Sequence, residues 1–236
     1  MGSRETILEA IRSALAEERA ECGERELPAV PEVWAMEELE NEEMVREFET
    51  NLRSVAGELV RCDNEEDAAD KAAGLLASLV DGPITVGVMN ESETKNLLAA
   101  AKRVGEEFHL RMTVLDAPAN PADADPRQMQ AMDASLVRAE LLLADTGSAV
   151  IHAASAFDRM LCYLSPACFV VARRSQLREH MPHAWPELLK KLDPNVSPAG
   201  EFLIVTGPSR TADIEKILVL GVHGPRKLVV LLLNDV

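Results

Sequence analysis

Aromatic side chains and positive charges are scarce in this sequence of 236 residues. Only 3% of the residues are aromatic, and 24 lysines and arginines face 40 aspartates and glutamates, so the formal net charge is −16. Nucleic-acid binding depends on basic groups against phosphates and on aromatic stacking against bases. Both deficits therefore argue against a nucleic-acid partner, and we expect the acidity to serve solubility or to attract a basic partner surface.

Cysteines are few and far apart. Their spacing is typical neither of a disulfide framework nor of the closely spaced sets that hold iron–sulfur clusters or zinc. The four are Cys22, Cys62, Cys162 and Cys168. We therefore expect free thiols, a reducing cytoplasm as the location, and no metal or redox cofactor in this chain.

Long hydrophobic runs and the common nucleotide motifs are missing as well. No run approaches the roughly eighteen apolar residues of a membrane span, and the amino terminus does not have the pattern of a signal peptide. The sequences G-x-G-x-x-G, G-x-x-x-x-G-K-[ST] and G-x-S-x-G do not occur. A dinucleotide site, a P-loop and a hydrolase nucleophile elbow are therefore unsupported.

Helical periodicity dominates the first third of the chain. Apolar residues repeat at helical spacing over residues 4–20, 41–61 and 65–79, and a proline-containing acidic stretch lies between the first two segments. We expect residues 1–42 to form an amino-terminal helix and an acidic linker, and residues 43–236 to form one domain.

Short apolar runs alternate with helical segments from about residue 80 onward. Strands are predicted over 84–88, 111–115, 140–143, 148–151, 167–171, 201–205 and 228–233. Helices are predicted over 91–104, 127–137, 174–180 and 185–191, and from residue 211. This alternation is typical of an α/β fold with a mostly parallel sheet covered by helices on both faces.

The first candidate site follows the apolar run 201–205. Glycine and proline break the strand there, and a hydroxyl residue can cap the helix predicted from Thr211. Backbone N–H groups at a helix start and an arginine fork both suit a phosphate or carboxylate, so we predict that Gly207, Ser209, Arg210 and Thr211 bind an anion. The alternative is an ordinary capped turn in which Arg210 pairs with a nearby acid.

Two further turns are candidate sites. The turn between the runs 141–143 and 149–151 predicts a hairpin in which Gly147 has a positive φ; Asp145 is a catalytic candidate, and Thr146 and Gly147 are ligand-binding candidates. His223 lies between two glycines and is a candidate general acid or base. The alternatives are a structural turn and a helix-ending turn. His180 and His183 flank Pro182, which argues against a metal pair on one helical face.

Three segments together resemble the LUD (lactate utilization) domain family, nearest to its single-domain LutC/YkgG branch. They are Ala144-Asp145-Thr146-Gly147-Ser148, residues 206–215 and residues 220–226. The resemblance extends from about Phe48 to the end of the chain. It implies a three-layer α/β/α Rossmann-like sheet of the NagB/RpiA/CoA-transferase-like type.

The resemblance also implies a function. Family members work with iron–sulfur partner proteins in the oxidation of L-lactate to pyruvate, so clusters are expected in the partners, and a small anionic ligand is expected at this chain. Two alternatives stay open. One is an independent enzyme acting on a small phosphorylated or acyl (CoA-type) substrate, although no glutamate motif for a CoA thioester is present. The other is a purely structural assembly factor.

Overall fold

A computed structural model describes residues 3–22, 39–107, 109–118, 125–191, 200–211, 219–221 and 224–235. The chain divides into two compact units, Met1–Glu37 and Glu38–Val236. The predicted linker lies mostly at residues 23–38, outside the described residues, and the predicted division between residues 42 and 43 stays a prediction. No helix in the described part of the chain is both long and apolar enough to cross a membrane.

The helices and strands follow the predicted alternation. The helices are α1 (Ser3–Cys22), α2 (Asn41–Ser54), α3 (Glu65–Ala77), α4 (Ser92–Glu107), α5 (Pro126–Gln130), α6 (Ala156–Leu164) and α7 (Met181–Lys191). The strands are β1 (Glu58–Cys62), β2 (Ile84–Val88), β3 (Met112–Leu115), β4 (Ala134–Arg138), β5 (Leu141–Leu143), β6 (Ser148–Ala153), β7 (Ala167–Arg173), β8 (Leu177–Arg178), β9 (Glu201–Val205), β10 (Arg210–Thr211), β11 (Val219–Leu220) and β12 (Lys227–Leu233).

The main sheet has six strands in the order β1-β12-β7-β4-β2-β3, and every pair in it is parallel. Its central strands are buried on both faces, as crossover helices require. Helices α3 and α4 contribute to the hydrophobic cluster on one face, whereas α2 and α6 contribute to the cluster on the other. The predicted α/β fold with a mostly parallel sheet between helical layers is confirmed.

A second sheet of four strands has the order β8-β5-β6-β9. Strands β5 and β6 form the predicted hairpin, with antiparallel pairing and a φ of 63° at Gly147. Helix α7 packs on this sheet through Ala184 and Leu188, beside Leu141, Leu143 and Val150. This sheet matters for function because two of the candidate turns follow its strands.

Four predicted helices need correction. The helix predicted over 41–61 ends at Ser54, because Ala56 takes a φ of 65° and the N–H of Gly57 bonds to the carbonyl of Leu52, after which β1 begins. The helix predicted over 127–137 ends at Gln130, and β4 follows, since its continuous apolar run fits a buried strand as well as a helix. Residues 174–178 form a 3₁₀ turn and then β8.

The fourth correction concerns the helix predicted from Thr211. Arg210 and Thr211 form β10, which pairs antiparallel with β11, so no helix begins at Thr211. Residues 212–218, over which that helix was predicted, lie outside the described residues. Helix α6 was not predicted at all. Its amino end is closed by a reciprocal pair of hydrogen bonds between Ser155 and Asp158.

Candidate functional site

The turn between β5 and β6 packs closely against the end of helix α2. A Cβ atom on Gly147 would lie 2.2 Å from the backbone nitrogen of Leu52, and the side chain of Asn51 donates a hydrogen bond to the carbonyl of Ala144 over 2.8 Å. Only glycine fits this position, because it combines a positive φ with backbone-to-backbone contact. The role of Gly147 that the structure displays is thus in packing.

The turn after β9 joins the first turn through hydroxyl groups. Ser148 donates to Thr146 Oγ1 over 2.8 Å, and its Oγ lies 2.7 Å from Thr206 Oγ1. Because a serine hydroxyl has one proton, Ser148 accepts the second bond from Thr206. Gly207 has a φ of 76°, and a Cβ there would lie 2.6 Å from the carbonyl oxygen of Val55, so this glycine also packs against the end of α2.

The third turn joins the second through backbone hydrogen bonds. The N–H of Ser209 bonds to the carbonyl of Pro225 over 2.8 Å, and the N–H of Gly221 bonds to the carbonyl of Ser209 over 2.9 Å. The three candidate turns therefore lie together. His223 and its neighbour at 222 lie outside the described residues, so its place relative to Asp145 is not part of this geometry.

These turns do not lie at the carboxyl edge of the main sheet, where ligands of open α/β sheets usually bind. The N–H groups of Arg226 and Lys227 both bond to the carbonyl of Pro166, which directly precedes β7. The third turn is thus at the amino ends of β7 and β12. In the second sheet, by contrast, β5 and β9 both end at these turns.

Arg210 is the cationic group that the sequence predicted for this site. Its side chain is exposed, and among the described residues it makes no hydrogen bond or ion pair. The alternative that Arg210 pairs with a nearby acid thus finds no partner in the described part of the chain. The N–H of Ser209 is already bonded to Pro225, so this donor does not point at a ligand. Anion binding by Gly207, Ser209, Arg210 and Thr211 stays a prediction.

Asp145 has an imidazole beside it that the sequence argument did not place there. The N–H of Asp145 bonds to the carbonyl of Glu179 over 3.1 Å, which continues the parallel pairing of β5 with β8. Asp145 Oδ2 consequently lies 3.4 Å from Nδ1 of His180. Pairing between strands 35 residues apart is a long-range contact, and no local sequence pattern predicts it.

His180 and His183 lie close together although only His183 belongs to helix α7. Helix α7 begins at Met181, so Pro182 stands in the first turn, where a proline is tolerated because its missing N–H would have no helical partner. The two rings lie 5.5 Å apart between centroids. Across the described residues, no group of three or more His, Cys, Asp or Glu has the geometry to hold a metal ion.

A separate cavity of about 840 Å³ lies at the carboxyl ends of β7 and β12, between α3 and α4. Arg173 lines the cavity and pairs with Glu65 at 2.8 Å and with Glu93 at 2.7 Å. The charged lining residues are Glu65, Glu66, Asp70, Glu93, Arg103, Glu107 and Arg173. None of the predicted site residues that the structure describes lines this cavity. The position of this cavity depends on the order of the strands in the main sheet, and the sequence does not reveal that order.

Three cysteines are free and buried. Burial raises the pKa of the Cys62 and Cys168 thiols to about 11 and also raises the pKa of Cys162. At neutral pH these thiols are protonated, and a protonated thiol is neither a good nucleophile nor a metal ligand.

Comparisons with known proteins give the chain a family context. A family model described as "LUD domain" matches residues 45–233. Protein YkgG of Escherichia coli (strain K12) is 30% identical over 75% of this chain and 74% of its own length. Lactate utilization protein C of Bacillus subtilis (strain 168) is 24% identical over 99% of this chain and 97% of its own length.

Two further similarities are a sequence match over part of the chain and a match to a solved structure. Lactate utilization protein C of Bacillus velezensis is 32% identical over 41% of this chain and 40% of its own length. The crystal structure of a DUF162 family protein from Deinococcus radiodurans superposes with a TM-score of 0.56 at 15% identity, over 83% of this chain and 99% of that one. At that identity the likeness supports the fold alone.

Proposed function

Because the chain belongs to the LUD domain family, we propose that it serves in lactate utilization. The observation that carries this proposal is the match to relatives named Lactate utilization protein C, one of which aligns over 99% of this chain. In the finer form of the proposal, the chain is a cytoplasmic subunit that works with iron–sulfur partner proteins in the oxidation of L-lactate to pyruvate.

The proposed ligand is a small carboxylate held at the three joined turns. Arg210 is exposed and unpaired among the described residues, in a protein whose formal net charge is −16. Its planar guanidinium matches a carboxylate with two parallel hydrogen bonds. Thr146 is exposed on the neighbouring turn and offers a hydroxyl donor. This pairing of one fork and one hydroxyl suits a 2-hydroxy acid or a 2-oxo acid.

In this proposal, residues of this chain accept the proton and partner proteins accept the electrons. Asp145 takes up the proton that the hydroxyl group of lactate releases, with His223 as the second acid–base candidate. Iron–sulfur clusters in the partners would accept the electrons, because the cysteines of this chain are too scattered to form a cluster site and three of them are buried with raised pKa values.

The alternative function is an independent enzyme acting on a small phosphorylated or acyl (CoA-type) substrate. The cavity between α3 and α4 favours it, since ligands of open α/β sheets bind at carboxyl ends of strands. The charges of that cavity disfavour it, since five carboxylates and two arginines line it and phosphate needs the opposite balance. Lactate utilization is therefore the function that the observations support best.

Calorimetric titration of the purified chain tests the ligand. We expect binding of L-lactate or pyruvate, and we expect Arg210→Ala to weaken it by about 1.5–3 kcal/mol, the range for a hydrogen bond to a charged group. Arg111→Ala, which removes another exposed arginine, serves as the control and should leave the affinity unchanged. Equal binding by the Arg210→Ala variant would remove the site from these turns.

Turnover by the isolated chain separates the two functions. A subunit that depends on iron–sulfur partners should not reduce a dye with L-lactate by itself, because it holds no electron acceptor. Turnover of a phosphorylated or acyl substrate by the chain alone would favour the independent enzyme.

A further inference from the structure

Four titratable side chains form an alternating row of carboxylates and imidazoles beside the first candidate turn. Asp145 Oδ2 lies 3.4 Å from His180 Nδ1, and His180 Nε2 lies 3.2 Å from Glu179 Oε1. Glu179 Oε2 then lies 3.8 Å from His183 Nδ1. The row uses both oxygens of Glu179 and both nitrogens of His180, so each inner group has one neighbour on either side.

The inner part of this row is buried and its polar atoms are incompletely satisfied. The side chain of Glu179 is 8% exposed and that of His180 is 13% exposed. Asp145 Oδ1 and both ring nitrogens of His180 are buried without a well-directed hydrogen bond, although carboxylate oxygens lie within ion-pair distance of both nitrogens. Buried polar atoms without partners are uncommon, and catalytic or water-mediated roles explain many of them.

The two ends of the row have different surroundings. Asp145 belongs to the turn that carries Thr146 and Gly147, where the proposed ligand binds. His183 lies on α7, and its side chain is 28% exposed, so this end reaches solvent. Two other charged groups on the same elements, Arg178 and Glu187, are paired with each other at 2.7 Å. The row therefore connects the candidate site with the outside.

We propose that Asp145, His180, Glu179 and His183 form a proton relay from the candidate site to solvent. The inference rests on the proposed function, since oxidation of a 2-hydroxy acid to a 2-oxo acid releases two protons with its two electrons. The iron–sulfur partners would accept the two electrons, the proton from the carbon is released to solvent, and the relay carries the hydroxyl proton that Asp145 has accepted.

Each transfer in the relay forms one bond to hydrogen and breaks another. Protonated Asp145 gives its proton to His180 Nδ1, while His180 Nε2 gives its own proton to Glu179. Glu179 then passes a proton to His183 Nδ1, and the partly exposed ring of His183 passes one on to solvent. One proton enters, one leaves, and return of the rings to their starting tautomers resets the row. Small side-chain rotations supply the alignment that the separations of 3.2–3.8 Å require.

Exchange of the ring N–H protons of His180 with water tests the relay on the isolated chain. In nuclear magnetic resonance spectra of ¹⁵N-labelled protein, we expect His183→Gln to slow this exchange by about tenfold or more, because the buried ring would then exchange only through local opening. His109→Asn removes an exposed imidazole elsewhere and tolerates the φ of 62° at that position, so it should leave the rate unchanged.

Glu179→Gln provides a second, internal break of the same row. It should slow the exchange at His180 as His183→Gln does, with the amide spectrum showing a folded protein. Unchanged exchange in the folded His183→Gln variant would overturn the relay, whether or not Glu179→Gln folds. Slowing in His109→Asn as well would also overturn it, since the effect would then be general.

Activity in the assembled system separates this inference from the proposed function. Lactate oxidation by the complete assembly should fall about 10²-fold or more in kcat with His183→Gln, the usual contribution of a proton-transfer group, and free imidazole should restore part of it. If the unaltered assembly does not oxidise lactate, the proposed function fails, and the exchange rates alone decide the relay. An active assembly whose kcat is unaffected by His183→Gln would contradict the relay.

Discussion

Gly147 and Gly207 show how single residues set the shape of the candidate site. Both have positive φ values, and both leave room for the backbone at the end of α2, beside Leu52 and Val55 respectively. The positive φ at Gly147 was predictable from the turn sequence alone. The helix end that it packs against was not, because that contact joins residues almost a hundred positions apart. The proximity of His180 to Asp145 was not predicted, for the same reason.

Substitution of Gly147 tests this packing. Gly147→Ala should lower the free energy of unfolding by about 2–4 kcal/mol, the combined cost of a left-handed conformation and of a clash with backbone. Gly74→Ala is the matched control: a Cβ at Gly74, inside α3, meets nothing within 4 Å. It should stabilise the protein by about 0.5–1 kcal/mol. Urea unfolding measures both, and an equal effect of the two substitutions would contradict the packing argument.

At the scale of secondary-structure elements, Glu140 lies in the short connection between β4 of the main sheet and β5 of the second sheet. Its side chain accepts hydrogen bonds from Arg138 and from Lys191 at the end of α7. Burial by itself would raise the pKa of Glu140, but the bond from Lys191 and the charge of Arg138 outweigh it, and the pKa is lowered. Ionised Glu140 therefore stabilises the folded chain above the ordinary glutamate pKa, and this contribution is lost as the pH falls through the lowered value.

Glu140→Gln should follow that pH dependence. At pH 7 the substitution removes an ionised carboxylate, so we expect it to lower the free energy of unfolding by about 1–3 kcal/mol. The difference between the two proteins should be smaller at pH 3. Denaturant unfolding at the two pH values measures it. Glu106→Gln, at an exposed position on α4, should change stability by no more than about 0.5 kcal/mol at either pH. A Glu140→Gln effect that grows toward low pH would contradict the ion-pair account.

Elements differ in how far the sequence predicts them. Strands such as β2 and β12 were predicted almost residue for residue, since turn residues bound their apolar runs. Strand β4 was mistaken for helix because a continuous buried run has no distinguishing period. Strand β10 was mistaken for a helix start because its partner β11 is separate in sequence, and two-residue strands have no local signature.

At the scale of the whole molecule, the sequence predicted the fold class but not the second sheet or the position of the candidate site. Strand order depends on pairing between distant segments, so the sequence did not show that the third turn lies at the amino ends of β7 and β12. The motifs nevertheless pointed to the right family, which a model match over residues 45–233 confirms. The proposed role in lactate utilization depends on that membership and on the three joined turns.

Growth on L-lactate tests the central claim most directly. A strain that lacks the gene, and that has no second route of lactate oxidation, should grow normally on glucose and poorly on L-lactate. The unaltered gene should restore growth on L-lactate, and Arg210→Ala should restore it only weakly although the folded protein is present, because the guanidinium fork for the substrate carboxylate is gone. Normal growth of the deletion strain on L-lactate would contradict the account.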